Sequence, residues 1–188
     1  MELESLFSRR RTIRKFKQKQ IPKKILFSCI DAGRLAPSAR NQQSLEYVLV
    51  TRNVMKVFSC TSWATYAPAA GPKQGEEPAA FIVVVSKRSE QNEYSLIDCG
   101  IAAGHIVLAA YSHGIASCIL GSIDRDQLSA ELNLPTDYVI HVVICLGFAA
   151  QKSVVDDWKP GARYWVDEKN TVHVPKRKLS EILHEEKF

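Results

Sequence analysis

The sequence lacks the short motifs that mark several large classes of enzyme. No G-x-G-x-x-G follows a strand pattern and no G-x-x-x-x-G-K-[ST] occurs, which disfavours a Rossmann-type dinucleotide domain and a P-loop. The zinc motif H-E-x-x-H and the nucleophile turn G-x-S-x-G are absent as well. We therefore predict no catalytic side chain and no metal site.

Cysteine pairs, histidine clusters and long apolar runs are also missing. The five cysteines form no C-x-x-C pair, and four of them lie in apolar segments, which predicts buried, reduced thiols. Among the five scattered histidines, His105 and His141 fall within apolar segments and are expected to be hydrogen-bonded core residues. No run reaches the roughly 18 apolar residues that span a bilayer, and residues 1–4 are acidic, without a signal-peptide core. We therefore expect a cytoplasmic protein with no membrane partner.

Acidic residues are absent between Glu4 and Asp31, where the chain carries its densest group of cations. Five cationic side chains and the hydroxyl of Thr12 fall within residues 9–16, in a chain of net charge +5 and pI about 9.0. Such a run is usually a solvated face, but guanidinium groups also match phosphate oxygens, and a nearby hydroxyl adds one more donor. This composition favours an anionic ligand, a nucleotide or an acidic surface.

The hydrophobic pattern predicts one α+β domain over residues 1–188, because strands and helices follow one another in uneven order. The predicted strands are residues 46–51, 80–85, 115–120 and 138–146. The predicted helices are residues 22–36, 54–60, 96–111, 127–132 and 179–183, the fourth capped by Asp124. Residues 61–78 are predicted to be a long connector and residues 151–176 to be polar, irregular chain.

Six motifs in the same order resemble those of the FMN-dependent nitroreductase family and together span nearly the whole chain. Residues 10–16, R-R-T-I-R-K-F, resemble the opening R-R-S-x-R-x-[FY], and residues 36–47 resemble A-P-S-x-x-N-x-Q-P-W-x-[FY]. The other four motifs are at residues 98–103, 114–121, 146–148 and 174–177. Arg40, where many members have a small residue, and Ser44-Leu45, in place of Pro-Trp, depart from the pattern.

The resemblance implies a nitroreductase-like α+β fold, with a central, mainly antiparallel sheet flanked by helices, in an intertwined homodimer that binds FMN at its interface. It also implies an FMN-dependent oxidoreductase that passes electrons from NAD(P)H to nitroaromatic, quinone or similar small-molecule acceptors by a ping-pong mechanism. The cofactor supplies this chemistry, and the protein binds and orients it.

Motif position also implies the cofactor-binding residues. The N-terminal motif is expected to contact the phosphate, ribityl chain and pyrimidine edge, the fourth motif to offer backbone groups to the ring, and the last motif to contact the phosphate. In the second motif, Asn41 and Gln43 are expected to bond the ring system, and residues 38–40 to reach the flavin of the partner chain. In chain order these residues are Arg10, Arg11, Thr12, Arg14, Ser38, Ala39, Arg40, Asn41, Gln43, Leu120, Gly121, Lys176 and Arg177. Arg9 and Lys15 are expected to be surface charges.

Two alternatives to this function stay open. The same flavin-binding fold could serve flavin storage, flavin fragmentation or reductive dehalogenation. A basic nucleic-acid-binding module is a more distant alternative, because no RNA-type aromatic motif accompanies the cations, and we expect no nucleic-acid partner. Five aromatic residues are candidates to stack over the flavin, although each could equally pack in the core or at the dimer surface: Trp63, Tyr66, Trp158, Tyr164 and Trp165.

Overall fold

The computed structural model describes residues 3–64 and 67–188, and in that part of the chain the strands form one five-stranded and one three-stranded sheet. The helices are α1 (Leu3–Arg9), α2 (Lys23–Arg34), α3 (Val54–Ser59), α4 (Ser95–Ser112) and α5 (Arg125–Glu131). The strands are β1 (Phe16–Lys17), β2 (Glu46–Val50), β3 (Ala80–Lys87), β4 (Ala116–Leu120), β5 (Tyr138–Ala149), β6 (Lys152–Asp157), β7 (Trp165–Val166) and β8 (Thr171–Lys176).

Strand β5 lies at the centre of the larger sheet. Its Cys145 is paired with Phe81 of β3 on one side and with Cys118 of β4 on the other. Strand β2 extends the sheet beyond β3, and the short β1 pairs with the far end of β5. Every one of these pairings is antiparallel.

The core lies on both faces of this sheet, which explains why β3 is apolar at consecutive positions. Side chains at alternate positions, such as Phe81 and Val83, pack in a cluster with α3 and α5. The intervening ones, such as Ile82, pack in a second cluster with α2 and α4. Helices α2 and α4 approach closely, since a Cβ built on Gly33 would lie 2.8 Å from the Ile106 side chain. The predicted α+β class, with an antiparallel sheet flanked by helices, is confirmed.

Most of the predicted elements are confirmed, but the chain from residue 151 onward differs from the prediction. Residues 151–176 are not irregular, because β6 pairs in parallel with β8, and β7 pairs with β8 in the antiparallel sense. The predicted helix over residues 179–183 is only a short 3₁₀ turn, Leu179–Glu181. Asp124 caps α5 as predicted, accepting from the backbone N–H of Gln127 at 3.0 Å.

The buried polar residues confirm some sequence predictions and overturn others. All five cysteines are buried and free, as predicted. His141 is a core residue whose Nε2 lies 2.9 Å from Ser86 Oγ, and burial lowers the pKa of this histidine. The prediction for His105 is wrong, because its side chain is exposed, although its ring hydrogen-bonds the Ile101 carbonyl. The prediction for Lys15 is also wrong: only 3% of this residue is exposed, and its Nζ lies 3.0 Å from Asn170 Oδ1.

Two features of residues 3–64 and 67–188 bear on metal ions and membranes. In that part of the chain no group of three or more His, Cys, Asp or Glu side chains could hold a metal ion. By length and composition α4 alone among those residues could cross a membrane, but it packs against α2 and the central sheet.

Candidate functional site

The cationic N-terminal segment runs along the free edge of β4. Thr12 bridges Ser117 in the parallel sense, and the backbone N–H of Ile13 donates to the Ser117 carbonyl at 3.0 Å. Successive side chains of an extended segment point to opposite sides. Arg10 and Thr12 therefore face one cavity, while Arg11 and Ile13 face another.

The first cavity, which we name the α4–β4 cleft, is defined by Arg10, Thr12, Gly104 and Ser117. It measures about 320 Å³, and its remaining walls are apolar side chains of α1, α4 and β4: Phe7, Val107, Leu108 and Ile119. A Cβ built on Gly104 would meet no atom of the chain within 4 Å, so packing inside the chain does not require glycine there. The cleft thus combines a guanidinium, two hydroxyls and an open apolar wall, a set that suits a phosphate-bearing ligand with a flat ring.

The other two predicted arginines of this segment lie outside the cleft wall. The Arg14 guanidinium carbon lies 4.4 Å from the centre of the Tyr164 ring, and the Arg14 backbone N–H donates to Gln151 Oε1 at 2.6 Å. Arg11 turns to the other side, where its Nη2 donates to the carbonyls of Phe7 and Ser8 at 2.9 Å each. Burial, and after it the charge of Arg10, lowers the pKa of Arg11. The structure therefore brings Arg10 and Thr12 together and separates Arg11 from them.

The second predicted motif forms a tightly held loop over residues 38–43. Its backbone is unusual because Arg40, Asn41 and Gln43 all have positive φ, between 50° and 54°. Residues other than glycine keep this conformation only where the surrounding structure holds them there, which is frequent at ligand sites. The loop is anchored inside by the Ser38 hydroxyl, which accepts from the Gln43 backbone N–H at 3.2 Å.

A second anchor joins this loop to helix α4. The Ala39 backbone N–H donates to Oδ1 of Asp98 at 2.9 Å, and Asp98 is only 4% exposed. Ser38, Gln43 and Asp98 line a small cleft of about 110 Å³, whereas the Arg40 side chain is exposed to solvent. The small cleft beside the loop and the α4–β4 cleft thus lie at different points along the same helix, α4.

The remaining predicted cofactor residues occupy two separate places. Leu120 is the last residue of β4 and its side chain is buried, whereas Gly121, the next residue, is exposed. Both therefore follow directly on the strand that places Ser117 in the cleft. Lys176 and Arg177 lie at the exposed end of β8, one strand length, or about 20 Å, from the contact between Lys15 and Asn170. The structure of the single chain does not bring Lys176 or Arg177 into the wall of the cleft.

The candidate aromatic residues that the structure describes lie in four different surroundings. Trp63 packs on the core beside Phe58, and its indole N–H donates to Thr61 Oγ1. Trp158 lies under Arg177, and Trp165 stacks on His173 with ring centres 4.1 Å apart. Tyr164 faces Arg14, and Tyr66 lies outside the described residues. None of the four described residues lines the α4–β4 cleft.

Comparison with known proteins identifies the family. The profile of the nitroreductase family matches residues 7–148 of the 188, which include the N-terminal segment, the 38–43 loop, α4 and β4. The chain belongs to the nitroreductase family. The predicted family and the predicted nitroreductase fold are both confirmed, and the chain is an oxidoreductase of this family.

Individual relatives agree with this assignment. A protein of Archaeoglobus fulgidus, provisionally named NADH dehydrogenase/NAD(P)H nitroreductase, is 29% identical over 74% of this chain and 80% of its own length. A solved nitroreductase family protein of Clostridium novyi NT is 26% identical, with a TM-score of 0.69 over 79% of this chain and 86% of the other. An FMN-dependent nitroreductase of Clostridium difficile R20291 shares the fold, with a TM-score of 0.71 and 20% identity over 99% of this chain and 100% of its own.

Three residues of the site were not identified from the sequence. Ser117 reaches the cleft because side chains alternate along β4, a pattern that would have pointed to it once Thr12 was known to be its neighbour. Gly104 and Asp98 lie in α4, which is mostly apolar. A glycine with free space beside it and a buried carboxylate in such a helix both indicate a contact with a group outside the helix. From the sequence alone, neither the loop that contacts Asp98 nor the cleft beside Gly104 could be predicted.

Proposed function

We propose that the chain is an FMN-dependent oxidoreductase that takes electrons from NAD(P)H and gives them to a small-molecule acceptor such as a nitroaromatic or a quinone. The observation that carries the proposal is the α4–β4 cleft, where Arg10, Thr12 and Ser117 converge beside the open Gly104. Membership of the family supports it, as do the solved FMN-dependent nitroreductase of the same fold and the NAD(P)H nitroreductase name of a relative.

The residues present fit FMN. A guanidinium and two hydroxyls suit the phosphate, and an apolar wall beside a glycine suits a flat ring that must approach the backbone closely. Phosphate contacts from Arg14, Lys176 and Arg177 remain part of the proposal and require these residues to approach the cleft in the assembled protein. Arg11 is the weakest member of the predicted set, because its guanidinium is engaged on the other side of the segment.

A second copy of the chain completes the proposed site. The face of α4 that does not pack on its own chain is apolar and bears two glycines: Ile97, Gly100, Ile101, Gly104 and Leu108. The cleft of about 320 Å³ lies at the low end of the roughly 300–1,000 Å³ of ligand pockets, so a nucleotide needs a further wall. We infer that the 38–43 loop of the partner subunit supplies it, with Asn41 and Gln43 toward the ring.

The chemistry in this proposal belongs to the cofactor, which when bound accepts two electrons as a hydride and passes them on. The chain's own residues bind and orient it. Arg10 and Thr12 hold the phosphate end, β4 and Gly121 offer backbone groups, and the apolar face of α4 excludes water from the ring. No side chain is required to act as a nucleophile or a general base.

A binding and activity assay tests the proposal. Purified protein should bind FMN, and Arg10→Ala should weaken that binding about tenfold or more, because a hydrogen bond to a charged group is lost. Arg52→Ala, at an exposed arginine far along the chain, should leave the affinity unchanged. With FMN bound, NAD(P)H oxidation should depend on an added nitroaromatic or quinone. Protein that binds no FMN contradicts the cofactor assignment, and flavin-loaded protein inert with every acceptor contradicts the reductase assignment.

A further inference from the structure

A second cavity lies across the N-terminal segment from the α4–β4 cleft. It measures about 290 Å³, and its polar wall is formed by Arg9, Arg11, Tyr111 and Ser153. The rest of the wall is small or apolar, including Ile13 and Ala116. We name this space the Arg11 cavity. Because side chains alternate along the segment, it shares no lining residue with the α4–β4 cleft.

The Arg11 cavity concentrates positive charge without a balancing carboxylate. Both Arg9 and Arg11 line it, and no Asp or Glu does. Within residues 3–64 and 67–188, neither arginine forms an ion pair. Two guanidiniums that share one cavity repel each other, and a bound anion would relieve that repulsion.

Two residues that line the Arg11 cavity also carry buried polar atoms without a hydrogen-bond partner. In the described part of the chain, the buried side-chain atoms without a hydrogen bond are Arg11 Nε, Ser153 Oγ and Gln151 Nε2. Two of these three belong to residues that line this one cavity. Arg11 uses Nη2 to satisfy carbonyls in the last turn of α1, which leaves its Nε without an acceptor. Buried polar atoms are normally satisfied, so two unpaired atoms beside one cavity leave the hydrogen bonding of its wall incomplete.

We propose that the Arg11 cavity is a second anion site, which binds the phosphate group of a small molecule other than the cofactor. Its donors come from three parts of the fold: the end of α1, the extended segment and β6. Donors from several directions suit a tetrahedral phosphate with several acceptor oxygens better than a planar carboxylate, and Arg side chains suit phosphate in particular. The proposal does not depend on FMN, because none of the residues involved lines the cofactor cleft.

The test measures the binding of inorganic phosphate by calorimetry, with protein first saturated with FMN and with acetate at equal ionic strength for comparison. We expect phosphate to bind and acetate to bind at least about tenfold more weakly. Arg9→Ala and Ser153→Ala should each reduce the phosphate affinity, the arginine change by about tenfold or more. Both side chains can be removed without breaking any hydrogen bond that the structure assigns them, so these variants should fold.

Controls separate this site from the cofactor cleft. Arg10→Ala should weaken FMN binding and leave phosphate binding unchanged, whereas Arg52→Ala should change neither. Arg11→Ala should reduce phosphate binding most, with circular dichroism checking that α1 is retained, because Arg11 also contacts the last carbonyls of α1. Absence of phosphate binding, equal affinity in Arg9→Ala and Ser153→Ala, or loss of phosphate binding in Arg10→Ala would each overturn the proposal.

Discussion

Asp98 shows how a single side chain can connect two parts of the site. Its buried carboxylate lies in the first turn of α4, where the helix dipole favours negative charge. From there it accepts the Ala39 backbone N–H and holds the loop that carries three residues of positive φ. Without this acceptor, the strained backbone would lose the contact that fastens it to the helix.

We predict that Asp98→Ala lowers FMN affinity by about tenfold, because the loss of a hydrogen bond to a charged group frees the 38–43 loop. Asp98→Asn should retain most of the affinity, since its side-chain oxygen can still accept from Ala39. Flavin fluorescence titration measures the affinity, and thermal melts check that the variants remain folded. Asp126→Ala, in the first turn of α5, is the matched control. Equal affinity in Asp98→Ala and the wild type would show that the loop does not depend on this contact.

At the residue scale, the sequence predictions succeeded where a motif fixed both the type of a residue and its place in the chain. Arg10 and Thr12 were placed in the ligand set, and they do share a cleft. Lys15 was mistaken for a surface charge, because its partners Asn170 and Glu76 are distant in sequence. Arg11 was grouped with its neighbours, because a run of cations does not reveal which face each side chain takes. That assignment requires the extended backbone along β4.

At the scale of elements, one histidine adds side-chain contacts to the backbone pairing of the small sheet of β6, β8 and β7. His173 of β8 places Nδ1 2.8 Å from Asp156 Oδ2 of β6 and Nε2 3.2 Å from Asp167 Oδ2 beyond β7. Both nitrogens carry a proton only in the charged imidazolium. The hydrogen bond with Asp167, and then that with Asp156, raises the pKa of His173.

We predict that this sheet is less stable at alkaline than at slightly acidic pH. Since the pKa of His173 is raised in the folded protein, its contribution is complete below the unfolded value of about 6.5 and is lost as pH rises through the folded value. The pKa of Asp167 is lowered, mainly by the Thr171 N–H, so its contribution is lost only in acid. The melting temperature, followed by tryptophan fluorescence, should therefore fall above about pH 6.5.

His173→Gln is the control for the pH effect, because glutamine can make similar contacts without titrating in this range. The difference in melting temperature between wild type and His173→Gln should shrink as pH rises. Titration of the His173 ring by NMR provides the direct measurement. A ring pKa at or below about 6.5 would contradict the prediction.

The elements that the sequence predicted well are those with a clear apolar pattern. Strand β3 and helix α4 were found because both carry long, mostly apolar stretches that contribute to the core. Strands β6 and β8 were missed because they carry many polar residues, and exposed Val154 and Val155 show no alternation. Helix α1 was missed because its seven residues carry no apolar repeat long enough to predict a helix.

At the scale of the whole molecule, helix α4 presents an apolar face that its own chain leaves uncovered. Leu96 is 74% exposed and Ile97 57% exposed, and Gly100 and Gly104 lie on the helix without a neighbour that their Cβ would touch. Apolar faces of this kind on soluble proteins usually mark an interface. The proposed homodimer would cover it.

We predict that Ile97→Glu converts a dimer into monomers and lowers FMN affinity, because burying an unpaired carboxylate in an apolar interface is costly. Met55→Glu, at an exposed methionine on α3, should leave the dimer intact. Sedimentation velocity at micromolar concentration gives the mass, and flavin titration the affinity. A wild-type chain that is monomeric with FMN bound, or an Ile97→Glu variant that remains dimeric, would contradict the prediction.

The central place of β5 also shapes how the chain folds during synthesis. Strand β3 is apolar on both faces and leaves the ribosome long before β5, its partner in the sheet, has been made. In that interval β2 can already pair with one edge of β3, but the edge that β5 will cover is unpaired, the condition in which apolar strands associate with other chains. The pairing of β5 with β3 on one side and β4 on the other then closes the sheet in one late step. Interactions distant in sequence make such steps slow, so we expect association with other chains to compete with folding until β5 is made.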